Sequence, residues 1–142
     1  MRLKWILITF IFLSLNIFAF NMGVAPTSFH IDLNNNHKTK EVTVLNNTNK
    51  PMRIEIAVEK PKDYKEEFYL GKWIRLYPKI INIRPQGKQK VRFAIRTPKD
   101  IPKGKYKSYL VFKEIPKLSE MDSSNINIEM ITEIAISIYG DK

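Results

Sequence analysis

IRPQGKQKVRFAIRTPKDIPKGKYKSYLVFKEIP, residues 83–116, decides the fold class. Pro85 and Gly87 mark a Pro-x-Gly turn. An alternating run follows, in which Val91, Phe93 and Ile95 point one way and Lys90, Arg92 and Ala94 the other. A period of two marks a strand with one wet face, because successive side chains leave a pleated backbone on opposite sides. A polar connection with Pro98, Pro102 and Gly104 leads to a second apolar run, residues 109–112, closed by Ile115-Pro116. Two strands joined by Pro- and Gly-rich segments predict all-β structure.

Outward from this stretch the same signals recur. Residues 24–33 read as one strand, with Phe29 and Ile31 alternating against His30 and Asp32. Pro26 places its start at a sheet edge or a bend, since proline cannot donate to a ladder. Val42 and Val44 alternate with Glu41 and Thr43 between two Asn-rich turns at 34–37 and 46–51. Asn suits such turns because it tolerates left-handed φ and bonds locally to backbone. Met52, Ile54, Ile56 and Val58 form the inward side of a third strand, and 60–65 is a charged loop. Short apolar elements at 73–77 and 80–83 flank Pro78, and 125–139 reads as a long final strand. About seven short strands with frequent turns describe an immunoglobulin-like β-sandwich.

The first twenty residues are of a different kind. Arg2 and Lys4 precede a nearly continuous apolar run at 5–20. Its 16 residues fall short of the roughly 20 that a spanning helix needs. They fit a secretory leader, with Ala19 a candidate cleavage position; an uncleaved anchor is the competing reading. Residues 1–20 are therefore assigned as signal peptide and 21–142 as a single domain, with no stable membrane anchor after cleavage. The chain has no Cys, so a disulfide framework and sulfur-based metal sites are excluded. It carries 24 Lys and Arg, two of them in the leader, against 14 Asp and Glu, which leaves +8 for 21–142. Such a charge attracts anionic surfaces, polymers or acidic proteins. For an exported protein nucleic acid is a poor partner. The Lys residues at 88, 90, 99, 103, 105 and 107 are dispersed, which reads as a solubilising face that discourages edge pairing.

The order of these parts resembles the amino-terminal immunoglobulin-like domain of PapD-like periplasmic pilus chaperones. The likeness rests on the turn at Pro85 and Gly87, Val91-Arg92 and Ile115-Pro116, then on Val24-Ala25-Pro26-Thr27, Val44-Leu45-Asn46-Asn47-Thr48, Leu76-Tyr77-Pro78 and Arg84-Pro85. It covers about residues 24–139. These chaperones ordinarily continue into a second such domain, whereas this chain stops at Lys142. The resemblance implies a periplasmic chaperone for exported, pilin-like subunits, working beside an outer-membrane usher. Such a chaperone lends a strand to a groove in its partner. Ile126, Ile128 and Met130 would then be the donor side chains and Ile134, Ile136 and Ile138 the domain's own core. The alternative keeps all six in one core, as in a single-domain structural or adhesive surface protein. The adjacent Met130 and Ile131 suggest a bulge or change of face. Homodimerisation through exposed strand edges is also open to such a domain.

The family holds its subunit's terminal carboxylate with an Arg on the first strand and a Lys on the last. Here 24–33 and 125–139 contain neither residue, Ser28 or Phe29 falls near the expected place, and Glu129 and Glu133 carry the wrong sign. No carboxylate anchor of that kind is expected. Nor is catalysis. His30 and His37 lack ligand-spaced neighbours, no Gly-rich phosphate loop occurs, and Asp63, Glu66 and Glu67 read as a solvated loop. No cofactor or metal is implied. Phe68, Tyr69, Trp73 and Tyr77 lie close in sequence; core packing around Trp73 is favoured over a sugar-binding platform.

Overall fold

The computed structural model describes residues 20–35, 38–117 and 130–142. Its strands are β1 (Met22–Ala25), β2 (Ser28–Asp32), β3 (Lys38–Asn46), β4 (Met52–Glu59), β5 (Ile74–Tyr77), β6 (Ile80–Ile83), β7 (Lys88–Ile95), β8 (Lys105–Glu114) and β9 (Glu133–Asp141). They build a four-stranded sheet, β1-β3-β7-β5, facing a five-stranded sheet, β2-β9-β8-β4-β6. Every pairing is antiparallel except β2 with β9.

The sandwich fold stands, with nine strands in place of about seven. The predicted strand 24–33 is two strands, because Pro26 has no N–H to continue the ladder; the Ala25–Pro26 peptide is cis. β1 stays with β3, and β2 crosses to the other sheet to join β9. The chain makes the same crossing at the cis Tyr77–Pro78 peptide, between β5 and β6. It returns through the Pro85 turn, where the Gly87 N–H donates to the Arg84 carbonyl at 3.0 Å. Gln86 takes φ 56° there, a left-handed conformation that costs a non-glycine residue about 1 kcal/mol or more. Its N–H donates to the Thr48 carbonyl and its Nε2 to the Asn47 carbonyl, so the neighbouring turn holds it.

Alternation puts one side of each strand in the core. Val42, Val44, Ile54, Val91, Phe93, Leu110, Phe112, Ile136 and Ile138 are all buried. The one buried amide side chain among the described residues, Asn46, is fully used. Its Nδ2 donates to the carbonyls of Lys50, Ile83 and Arg84, and its Oδ1 accepts from the Thr48 N–H and hydroxyl. At the other end, 3-10 turns at Glu66–Phe68 and Leu70–Trp73 bury Leu70. They pack Phe68 and Trp73 against Tyr106, with ring centroids 5.3 and 5.7 Å apart. These rings close the core. Tyr77 is the exception and stands exposed.

Candidate functional site

β9 is the strand on which a partner could act. It pairs with β8 along its whole length, from Lys113↔Glu133 to Lys105↔Asp141. On its other side β2 covers only residues 137–141. Among the described residues no strand lies beside 133–136, so half of β9 is an open edge.

Hydrogen-bond directions define what that edge offers. The Ser137 N–H turns away from β8 to the Thr27 carbonyl at 3.3 Å. On the β8 side, the Glu114 N–H donates to the Thr132 carbonyl at 3.0 Å. In an antiparallel ladder these directions alternate, so the N–H and C=O of Glu133 and Ala135 face outward. Even-numbered side chains point into the core: Ile134 partly, Ile136 and Ile138 fully, and Gly140 against Leu33. The inward phase is unbroken from Ile134 to Gly140, with no bulge in that span.

The predicted final strand, 125–139, differs at both ends. It starts at Glu133 and runs on to Asp141, because Tyr106 and Lys105 of β8 continue the ladder past Tyr139. At its entrance the Glu114 carboxylate accepts the Thr132 N–H at 3.4 Å, taking the place of a strand carbonyl. Of the three candidate donor side chains, Ile126 and Ile128 lie outside the described residues. Met130 is 83% exposed and Ile131 48%. Met130 lies ahead of β9, beside a cavity of about 520 Å³ that Pro51, Arg53, Ile115 and Pro116 also line. The expected places of a carboxylate anchor hold Ser28, which is exposed, and Phe29, which packs edge-on against Phe93 at 5.2 Å.

Sequence reasoning missed a cluster beside this edge. His30 stacks on Tyr139 with ring centroids 4.9 Å apart, and Lys107 Nζ lies 4.9 Å from the Tyr109 ring and 5.1 Å from the Tyr139 ring. The Tyr109 hydroxyl raises the Lys107 pKa above its usual range, so this lysine stays charged. The Ser137 hydroxyl, and then the Lys107 charge, lower that of Tyr139. The contributing residues come from β2, β8 and β9, and only the pairing register joins them. Glu66, the first residue of the 3-10 turn after the charged loop, is tied to Lys60 at 2.8 Å.

The family profile of the pili and flagellar-assembly chaperone, PapD N-terminal domain, matches residues 23–138. No curated protein matches the chain at a significant level. Among solved structures, the E. coli chaperone DraB is similar with TM-score 0.62 and 17% identity, over 85% of this chain and 54% of that one. The SafB chaperone solved with the Salmonella enterica SafA pilin has TM-score 0.65 and 12% identity, over 87% and 55%. A PapD-like domain of human CEP192 has TM-score 0.58 and 13% identity, over 85% and 84%. The chain thus spans about half the length of the bacterial chaperone chains it matches. With the profile covering most of its residues, the chain belongs to the pili and flagellar-assembly chaperone family, as a PapD N-terminal domain.

Proposed function

We propose that this protein is a periplasmic chaperone that binds exported, pilus-type subunits by strand addition along β9, without catalysis. The observation that carries this reading is the open edge at 133–136, with Met130 and Ile131 exposed just ahead of it. A partner strand laid there would bond to the outward groups of Glu133 and Ala135, and apolar side chains ahead of β9 would fill a groove in the partner. Ile126, Ile128 and Met130 are the donor side chains in this reading, and residues 1–20 are the leader that brings the chain to the periplasm. Neither β2 nor β9 supplies a Lys or Arg, so affinity rests on backbone pairing and apolar burial.

Purification from the periplasm of the native host tests this. A stoichiometric subunit should accompany the protein and be lost on Ile128→Asp and on Ala135→Pro. Proline at 135 deletes an outward N–H and leaves the β8 ladder intact, so its thermal unfolding should be unchanged. A subunit retained by both variants would sink the proposal. The second reading, a single-domain structural or adhesive protein, draws support from the human PapD-like domain, which has this fold over most of its own chain. Burial of Ile126, Ile128 and Met130 within their own domain would favour it.

A further inference from the structure

Part of the basic excess lies together on one face. On the outer side of the sheet β1-β3-β7-β5, Lys88, Lys90 and Arg92 follow one another at alternate positions of β7, about 7 Å apart. Arg75 of the neighbouring edge strand β5 stands in the next column, across from Ala94. Among the described residues a single carboxylate opposes them on this face: Glu41 bridges Lys90 at 2.8 Å and Arg92 at 3.1 Å. Arg75 and Lys88 have no carboxylate partner among the described residues.

Arg75, Lys90 and Arg92 border a groove of about 500 Å³ whose apolar floor includes Ala94 and Leu76, with Lys88 two residues before Lys90 on the same side of β7. Tyr77 stands at its wall, 84% exposed, on β5 directly across from Arg92. A solubilising lysine face requires neither a groove nor an exposed ring. Two chemistries meet here: guanidinium and ammonium groups that hold carboxylates through charge-assisted bonds, and an aromatic ring with an apolar floor that accepts flat C–H surfaces. A sugar ring bearing an acidic group offers both in one narrow chain. An acidic protein would have to set carboxylates and an exposed apolar side chain side by side at the same spacing, which an acidic sugar chain repeats at every unit.

We infer that this face binds an acidic polysaccharide, with Arg75, Lys88, Lys90 and Arg92 on its anionic groups and Tyr77 stacked on a sugar ring. The site is on the opposite sheet from the open edge of β9, so its test is independent of subunit binding.

Polygalacturonate is the probe, with neutral dextran and polyglutamate as comparisons, followed by calorimetry or fluorescence anisotropy on the full chain. Binding should weaken steeply with added salt, as exposed charges are screened beyond about 10 Å at 0.1 M. Arg75→Gln with Lys88→Gln should weaken it about tenfold or more, the scale of lost charge-assisted contacts. Glu41→Gln should strengthen it by releasing Lys90 and Arg92. Tyr77→Ala should weaken polygalacturonate binding and leave polyglutamate binding unchanged. Thermal unfolding guards against misfolded variants. No binding to polygalacturonate, or binding indifferent to salt, overturns the inference. Equal binding of polyglutamate with no effect of Tyr77→Ala overturns it in favour of an acidic protein partner.

Discussion

The two halves of β9 share one alternation and differ in their neighbours. Residues 137–141 lie between β8 and β2, and their inward side chains close the core beside Leu33 and Ile31. Residues 133–136 have β8 alone among the described residues, and the chain ahead of them exposes Met130. A strand with two neighbours has satisfied its backbone and has no donors or acceptors left for a second chain. A strand with one neighbour still offers donors and acceptors to a second chain. The comparison therefore separates fold from recognition along a single strand, and substitutions in each half should separate them too.

The largest expected effect lies in the closed half. Ile138 is fully buried between the sheets, and Ile138→Ala should cost about 3–4 kcal/mol through lost burial and the cavity it leaves. A lower denaturant midpoint with an unchanged slope would report it. Gly140→Ala comes next. A Cβ there would meet Leu33 Cδ1 at 2.8 Å, and Leu33 is itself buried. Overpacking of this kind costs about 1–3 kcal/mol, so a wild-type melting temperature for this variant would break the closed-half assignment.

In the open half the effect should pass from stability to binding. Replacing Met130 and Ile131 by Ser should shift stability by no more than about 0.5 kcal/mol, as for other surface sites, and should reduce the subunit recovered from the periplasm. Unfolding as severe as that of Ile138→Ala would show these residues to be core after all.

Much of this contrast was legible in the residues. Val91, Phe93 and Ile95 on one side, and Met52, Ile54 and Ile56 on another strand, are inward as the alternation demands. Periodicity states which face of a strand is wet; it does not state which strand lies beside it. That is why Lys107, His30 and Tyr139 could not be joined in advance, and why the half-coverage of β9 by β2 was hidden. Pro26 marks an edge or a bend, yet that it sends β2 to the other sheet depends on the whole sandwich.

The same limit hid the distribution of charge. Read along the chain, the lysines look evenly scattered. Register places those on β7 and β8 on two outer faces of opposite character. The β7 side gathers Lys88, Lys90, Arg92 and Arg75 around Glu41. The outer side of the other sheet sets Arg53, Lys105, Lys107 and Lys113 against Glu55, Glu59, Glu133, Asp32 and Asp141. One face is basic and its opposite is slightly acidic, so an anionic polymer and a partner strand need not compete.

The smallest expected effect follows from Glu41. Hydrogen bonds from Lys90 and then Arg92 hold its pKa below the ordinary 4.5. A carboxylate whose pKa is depressed by folding stabilises the native state above its unfolded value, and that contribution disappears as pH falls through the folded value. Asp32, whose carboxylate accepts the Asn34 N–H, behaves alike below 3.8. Asp32 is exposed and Glu41 half-exposed, so the loss of stability should be slight and confined to acid. Binding is the more telling measurement. Dextran sulfate keeps its charge in acid, so protonation of Glu41 should free Lys90 and Arg92 and tighten its binding as pH falls through the carboxylate range. Glu41→Gln should bind more tightly near neutral pH and show a smaller gain in acid. Identical pH responses in the two proteins would assign the gain to the other carboxylates of the domain and remove Glu41 from the groove's control.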